Sequence, residues 1–215
     1  MTGRVLKNYK TYLKPDWPEV VQEFTTKEIM GHSADRLCEH FGVTREAQDE
    51  FAMRSHKASK SAFENGHLED ILTVTVNEKQ VNRDNGVRIV PPEKMARLRP
   101  VFRPGVGTVT AANSSFFTDG ATACLLSEEN YAKSVGLPCK AYMRDWVFVS
   151  QDPKDELLLG PAYAIPKLLK RAGLVLDDID VFEIHEAFAG QVLSCLTAME
   201  SSKWCRFVIR TYNKV

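Results

Sequence analysis

Residues 181–189 (Val-Phe-Glu-Ile-His-Glu-Ala-Phe-Ala) constrain the fold of this chain more than any other stretch. Their first four residues predict a strand, and a helical pattern begins at Glu186. A strand that ends where a helix starts places the junction side chain at the mouth of an α/β sheet, where the first N–H groups of the helix are unpaired. His185 at that junction can therefore donate a hydrogen bond to an oxyanion. The plainer alternative for a lone histidine is a capping or core role.

From Gly107 onward, segments rich in β-branched residues alternate with segments of helical periodicity. The predicted strands are 121–126, 141–149 and 179–184. The predicted helices that follow them are 128–135, 163–172 and 186–198. Such alternation is typical of an α/β fold in which helices cover a sheet.

Before Gly107 the pattern predicts two helices, a hairpin and a short third helix. Ser33 is expected to cap a helix that Gly42 ends, and Thr44 a longer helix that Gly66 ends. Residues 71–76 and 87–90 are predicted strands around an Asp-Asn-Gly turn at 84–86, with a short helix at 93–98. The residues expected on the inner face of the longer helix are Ala47, Phe51, Ala58 and Ala62.

Composition narrows the class of protein. Lysine and arginine number 28, as do aspartate and glutamate, so the net charge does not indicate a nucleic-acid partner. No apolar run has transmembrane length. The five cysteines are scattered without a CxxC pair, which favours neither a zinc site nor a disulfide framework. A basic, partly apolar stretch at 1–14 could be a transit peptide, but it has no serine and only one arginine. A structured or membrane-facing surface loop is therefore favoured over a cleaved signal.

Three further motifs carry ligand-binding character. Residues 107–115 (Gly-Thr-Val-Thr-Ala-Ala-Asn-Ser-Ser) lead from a short strand into small residues that permit close approach of a ligand. Residues 30–35 (Met-Gly-His-Ser-Ala-Asp) precede a helical pattern, and residues 159–166 (Leu-Gly-Pro-Ala-Tyr-Ala-Ile-Pro) turn into another.

Taken together and in this order, these motifs resemble the thiolase family. Residues 44–56 and 98–102 add to the likeness, which runs from near the N-terminus to about Glu200. The His-Glu-Ala-Phe and Ala-Ala-Asn-Ser-Ser variants are most similar to those of the trifunctional-enzyme β branch of the family.

The resemblance implies an incomplete thiolase-like α/β fold. It assigns residues 1–105 to the family's loop domain and its return, and 106–139 to the end of the N-terminal half. It assigns 140–200 to the start of the C-terminal half and leaves 201–215 as a divergent tail.

The resemblance also implies a reaction, the thiolytic cleavage of 3-ketoacyl-CoA by CoA in fatty-acid β-oxidation. The family's nucleophilic cysteine is expected upstream of this sequence, and its Gly-His-Pro and Cys-x-Gly-Gly-Gly motifs downstream of the matching region. We therefore expect an acetyl-CoA C-acyltransferase by family whose present chain is inactive alone and folds poorly alone. The alternative is a non-catalytic fragment that binds CoA weakly or associates with thiolase subunits.

Six residues match functional positions of the family. His185 matches an oxyanion-hole position, and Ser115 matches a hydroxyl that contacts the pantetheine arm of CoA. Phe102 and Phe188 match aromatic residues beside the same arm and pocket, although both are equally good core residues. Met30 would line the acyl side, and Arg88 lies near the adenine and phosphate end, where plain surface charge explains it as well.

By the same resemblance, CoA is a substrate and no bound cofactor or metal is implied. The partners expected for a whole family member are a second thiolase chain and the trifunctional α subunit. Mitochondrial localisation, with association with the inner membrane, is expected on the same ground.

Overall fold

The computed structural model describes residues 22–118 and 120–204. The α-helices in this part are α1 (Met30–Phe41), α2 (Arg45–Glu64), α3 (Pro92–Met95), α4 (Glu129–Ser134), α5 (Gly160–Ala172) and α6 (Ala189–Glu200). Strands β1 (Val74–Val76) and β2 (Lys79–Val81) form a hairpin, and Leu176–Asp178 forms one turn of 3-10 helix.

Helix α6 is the hub around which α1, α2 and α5 pack. Its sequence, Ala-Gly-Gln-Val-Leu-Ser-Cys-Leu-Thr-Ala-Met-Glu, is dominated by small and apolar residues, so neighbouring helices approach on several sides. The buried members of α6 are Ala189, Gly190, Gln191, Val192, Ser194, Cys195 and Ala198.

Two apolar clusters lie along α6, one at each half of the helix. Its C-terminal half packs with α1 and α5 in a cluster made of Leu37, Leu159, Ala162, Tyr163, Cys195 and Ala198. Its N-terminal half packs with α2 and α3 in a cluster made of Phe51, Ala52, Met53, Met95, Ala189 and Val192. Burying one large apolar side chain contributes about 1.5–3 kcal/mol, so these contacts supply much of the stability of the described part.

Helix α6 lies close against α1 and α2 at Gly190. A Cβ placed on this residue would lie 2.2 Å from Sγ of Cys38 and 2.9 Å from Oε1 of Gln48. Only a residue without a side chain fits between these two buried groups.

The helix ends confirm part of the sequence-based expectation. Thr44 caps α2 by accepting a hydrogen bond from the Ala47 amide at 3.2 Å. Gly42 ends α1 with a left-handed φ of 67°. Ser33 as a cap was wrong, because α1 begins at Met30 and Ser33 is fully buried inside the helix.

The buried face of α2 differs from the prediction. Ala47 and Ala58 are exposed, whereas Gln48, Phe51, Ala52 and Met53 are buried. The buried positions all lie in the N-terminal half of α2, which includes the part that packs with α6. The alanine stripe was misleading because burial follows the helix neighbour rather than periodicity alone.

The hairpin forms with a different second strand and a different turn. Val74 pairs with Val81, and the connection is the pair Asn77 and Glu78, with φ of 47° and 64°. Two consecutive positive φ values are those of a type I′ turn, whose twist matches that of the strands. The predicted Asp-Asn-Gly turn at 84–86 and strand at 87–90 were therefore wrong.

Within the described residues, the predicted strands at 121–126, 141–149 and 179–184 pair with no neighbour. A β-strand is defined by its ladder to a second strand, so these β-prone segments are not strands here. Several of their apolar side chains face solvent, with exposed fractions of 78% for Leu125, 86% for Phe148 and 73% for Val181, whereas Val149 and Ile184 pack against the apolar clusters.

The helices among these segments follow the prediction more closely. Helix α4 lies inside the predicted 128–135. Helix α5 starts three residues before the predicted 163, because Pro161 is tolerated in a first turn, where its missing N–H would have no partner. None of the described helices is both long and apolar enough to cross a membrane.

We predict that Gly190→Ala destabilises the chain by about 1–3 kcal/mol, the usual cost of overpacking a filled interior. The clash with Cys38 and Gln48 outweighs the gain in helix propensity, which is about 1 kcal/mol at most. Urea unfolding followed by circular dichroism measures the change.

Gly160→Ala is the matched control, since its Cβ would meet only the Gln151 amide nitrogen at 3.7 Å. This control should unfold at the same or a higher urea concentration than the parent. Equal stability of the two variants would contradict the close approach at Gly190.

Candidate functional site

Helix α2, the turn at 112–116 and the segment that leads into α6 enclose a cavity of about 290 Å³. The polar side chains that line it include Ser55, His56, Asn113, Ser115, His185 and Glu186. Residues from three distant parts of the sequence therefore meet at one place, next to the first residue of α6.

Asn113 fixes the turn that forms one wall of this cavity. Its side chain is buried, with Oδ1 accepting from the Thr110 amide at 2.7 Å and Nδ2 donating to Oδ1 of Asp49 at 2.8 Å. Its backbone carbonyl accepts from the amide of Ala189 at 3.0 Å. One residue thus joins the turn to α2 and to the start of α6.

Two buried side chains hold the strand-like stretch before this turn. Oδ1 of Asp35, on α1, accepts from the amides of Thr108 and Val109 at 2.7 and 2.9 Å. Nε2 of Gln48 donates to the Thr108 hydroxyl at 2.8 Å. The small residues at 107–115 are therefore held between α1 and α2.

The segment that carries His185 is irregular, and α6 begins at Ala189 rather than at Glu186. The amide of Ala189, the first residue of α6, already donates to the Asn113 carbonyl, and the Ser115 amide donates to the Ala187 carbonyl at 2.8 Å. His185 consequently lies four residues before the helix, and its expected position at the helix start was wrong. Its side chain is exposed on the wall of the cavity.

Glu186 crosses the cavity mouth to α2. The Ser55 hydroxyl donates to Oε2 of Glu186 at 2.5 Å. The neighbouring residue, His56, accepts a long hydrogen bond from the Arg88 amide on Nδ1 at 3.4 Å. Burial lowers the pKa of His56 below its usual value, and the charge of Glu186 partly opposes that shift by raising the pKa.

The predicted aromatic residues lie together in a second group beside the cavity. The rings of Phe102 and Phe188 meet edge to face, with centroids 6.0 Å apart at an interplanar angle of 85°. The Phe102 ring also meets His32 edge to face at 6.2 Å. It fills the space over Gly31, where a Cβ would lie 2.2 Å from the ring.

An isolated bridge between Ser114 and Phe188 connects this aromatic group to the cavity wall. His185 and Ser115 share the cavity, and Phe102 and Phe188 share the aromatic group. Met30, the half-buried first residue of α1, and Arg88, which is exposed, are not among the residues lining the cavity. Their predicted contacts with the acyl chain and with phosphate stay predictions.

Ser55, His56 and Glu186 were not predicted as site residues. Ser55 and His56 lie one helical turn after the buried Phe51 and Ala52, on the face of α2 that turns toward α6. That spacing is the signal in the sequence that would have identified them.

None of the described cysteines is placed to act as a nucleophile at the cavity. Desolvation raises the pKa of the Cys38 thiol to about 12 and also raises the pKa of Cys195. Cys124 and Cys139 are exposed, and none of these four cysteines lines the cavity. Over residues 22–118 and 120–204, no three histidine, cysteine or acidic side chains are grouped so as to hold a metal ion.

Comparison with known proteins defines the class. The solved structure of human mitochondrial 3-ketoacyl-CoA thiolase in complex with CoA superposes with a TM-score of 0.79 at 30% identity, covering 85% of this chain and 46% of that one. The described residues therefore have a thiolase fold, as the sequence predicts, and the chain is an incomplete version of it.

Sequence comparison leads to the same family. The models for the thiolase N-terminal and C-terminal domains match residues 6–130 and 137–211. A probable 3-ketoacyl-CoA thiolase of Caenorhabditis elegans is 52% identical over 207 residues, 95% of this chain and 45% of the relative. The mitochondrial trifunctional enzyme subunit beta of Mus musculus is 55% identical over 191 residues, 88% of this chain and 40% of the relative.

The chain belongs to the thiolase family. It spans less than half the length of the curated relatives that it matches. The family models divide between residues 130 and 137, whereas the domain limits drawn from the sequence stay predictions. The interpretation of residues 201–215 as a divergent tail falls mostly outside the described residues, which end at 204.

We predict that the pKa of His56 lies below 6.5 and falls further in Glu186→Gln, because this variant removes the charge that opposes desolvation. A folded-state pKa below the unfolded value means that protonation favours unfolding. The stability contributed by neutral His56 should therefore diminish as the pH falls from about 6.5 through the folded-state pKa. An NMR titration of the His56 ring measures both pKa values.

Glu64→Gln, at the C-terminal end of the same helix, is the control and should leave the titration unchanged. A His56 pKa that rises in Glu186→Gln would contradict this view of the cavity.

Proposed function

We propose that this chain supplies the oxyanion-binding and CoA-binding part of a 3-ketoacyl-CoA thiolase acting in fatty-acid β-oxidation. The observation that carries the proposal is the meeting of His185 and Ser115 at one cavity, 70 residues apart in sequence. The family membership and the identity of 52–55% to the two relatives support it.

Thiolysis requires a nucleophile and a hydrogen-bond donor that stabilises the negative charge of the enolate. A cysteine thiolate adds to the keto carbon, the carbon–carbon bond breaks, and acetyl-CoA leaves as an enolate that takes up a proton. The thiol of CoA then takes the acyl group from the cysteine. A hydrogen-bond donor aimed at the thioester oxygen stabilises the enolate, since negative charge develops there.

His185 is the residue that we assign to this donor role. It is exposed on the cavity wall, so a ligand can reach its ring. The hydroxyl of Ser115, also exposed, would bind the pantetheine arm, and the paired rings of Phe102 and Phe188 would pack beside that arm. A related human thiolase has been solved in complex with CoA, which supports CoA as a ligand of this site. We propose that CoA acts there as a substrate and not as a bound cofactor.

The partners and location of the whole protein are part of the same proposal. A second thiolase chain and a trifunctional α subunit are proposed because a mitochondrial trifunctional enzyme subunit beta is among the relatives. We propose a mitochondrial location on that ground, with contact to the inner membrane through the basic stretch at 1–14, which lies outside the described residues.

The four cysteines of the described part favour a second candidate function. None of them faces the cavity, and two are buried with raised pKa. A fragment that binds CoA or associates with thiolase subunits without catalysis fits these observations. Calorimetric titration with CoA tests it directly, and Ser115→Ala should weaken any binding that uses the proposed site.

We predict that the purified 215-residue chain does not cleave a 3-ketoacyl-CoA in the presence of CoA. Oxyanion donors alone cannot form and break the covalent bonds of thiolysis. Loss of 3-ketoacyl-CoA absorbance measures the reaction. Turnover that alkylation of the thiols abolishes would show that one of the five cysteines of the chain acts as the nucleophile and would overturn the prediction.

For the role of His185, we define a hybrid enzyme in which residues 22–200 of this chain replace the matching segment of the Caenorhabditis elegans relative. His185→Ala in the hybrid should lower kcat about 100- to 1000-fold and change KM much less, since an oxyanion donor acts on the transition state. His67→Ala, an exposed histidine beyond α2, is the control and should leave the kinetics unchanged.

A loss below about threefold for His185→Ala, with the fold intact, would favour a structural role for this histidine. An inactive hybrid would count against the proposed function itself.

A further inference from the structure

The strongest unassigned feature of the site is the contact between Ser55 and Glu186. It joins residues 131 positions apart, with the Ser55 hydroxyl 2.5 Å from Oε2 of the residue that follows His185. Neither side chain was assigned a role by the sequence motifs, and both line the cavity that His185 lines.

His185 needs to be positioned from outside, because its own ring forms no hydrogen bond within the described residues and it lies in no helix or strand. Two backbone bonds hold the segment that follows it, one at Ala187 and one at Ala189. Ile184, on the other side of His185, packs against the apolar cluster of α2, α3 and α6. The bond from Ser55 to Glu186 is the hydrogen bond nearest to His185 along the described chain.

The carboxylate of Glu186 could also compete with an oxyanion for the N–H of the His185 ring. A carboxylate beside a histidine accepts its N–H, which would take that N–H away from an incoming oxyanion. The Ser55 hydroxyl donates to this carboxylate and holds it against α2, on the side where His56 faces it. The other charged side chain lining the cavity is Asp84.

We propose that Ser55 is a positioning residue for thiolysis, which acts through Glu186 by holding the residue next to His185 and by keeping the Glu186 carboxylate turned away from the His185 ring. This inference rests on the proposed function and adds Ser55, to which the proposed function assigns no role.

The test is a double-mutant cycle in the hybrid enzyme. Ser55→Ala should lower kcat about 10- to 100-fold, the scale for a misplaced catalytic group, with KM within about twofold of the parent. Ser55→Thr keeps the hydroxyl and should recover most of the lost rate. Ser61→Ala, on the same helix, should have no effect, because the Ser61 hydroxyl accepts from the side-chain Nδ2 of Asn65 and does not line the cavity.

The decisive comparison is Ser55→Ala made in the His185→Ala background. A residue that acts through His185 adds no further loss there, because the effects of groups acting as a unit are not additive. Full additivity would overturn the positioning role, as would a Ser55→Ala enzyme with the kinetics of Ser61→Ala. If His185→Ala alone had no effect, the proposed function would fail at an earlier step.

A second readout separates positioning from general destabilisation. In the hybrid enzyme, Ser55→Ala should speed amide hydrogen exchange at 184–188 and leave exchange in α5 unchanged. Faster exchange throughout the chain would mean that Ser55 has only a structural role and would overturn the proposal.

Discussion

The buried amide of Asn113 is the contact on which the candidate site depends. Its side chain and backbone satisfy partners on α2, in its own turn and at the start of α6. Leaving a buried donor or acceptor unpaired costs about 1–3 kcal/mol, so three such partners bind the turn firmly in place. The hydrogen bonds of Asn113 thus join the cavity wall to the start of α6, beside the Ser114–Phe188 bridge.

The same residue explains why the helix boundary was misjudged from the sequence. Residues 186–188 have helical periodicity, but the Asn113 carbonyl accepts the amide of Ala189, and the Ala187 carbonyl accepts from Ser115. Tertiary hydrogen bonds therefore take groups that a longer helix would use for itself. Local pattern cannot reveal a competitor that lies more than 70 residues away.

Features decided by local chemistry were predictable, and those decided by partners were not. Thr44 caps the start of α2 with its own side chain, and Gly42 ends α1 through its left-handed backbone. Both were identified correctly. Ser33 was misassigned because burial against neighbouring helices, rather than capping, sets its environment. The β-prone segment 121–126 lacks a ladder because a strand needs a neighbour, which no propensity supplies. Motif resemblance identified the family, but the Ser55–Glu186 contact required coordinates.

The long sequence separation of that contact has a consequence for biosynthesis. At about 5–20 residues per second, a ribosome takes roughly 7–26 s to add the 131 positions between Ser55 and Glu186. Throughout that interval α2 exists without α6, and Phe51 and Met53 have no hub to pack against. The nascent chain therefore exposes the apolar face of α2 long before α6 is synthesised, and such a surface is open to association with other chains until α6 covers it.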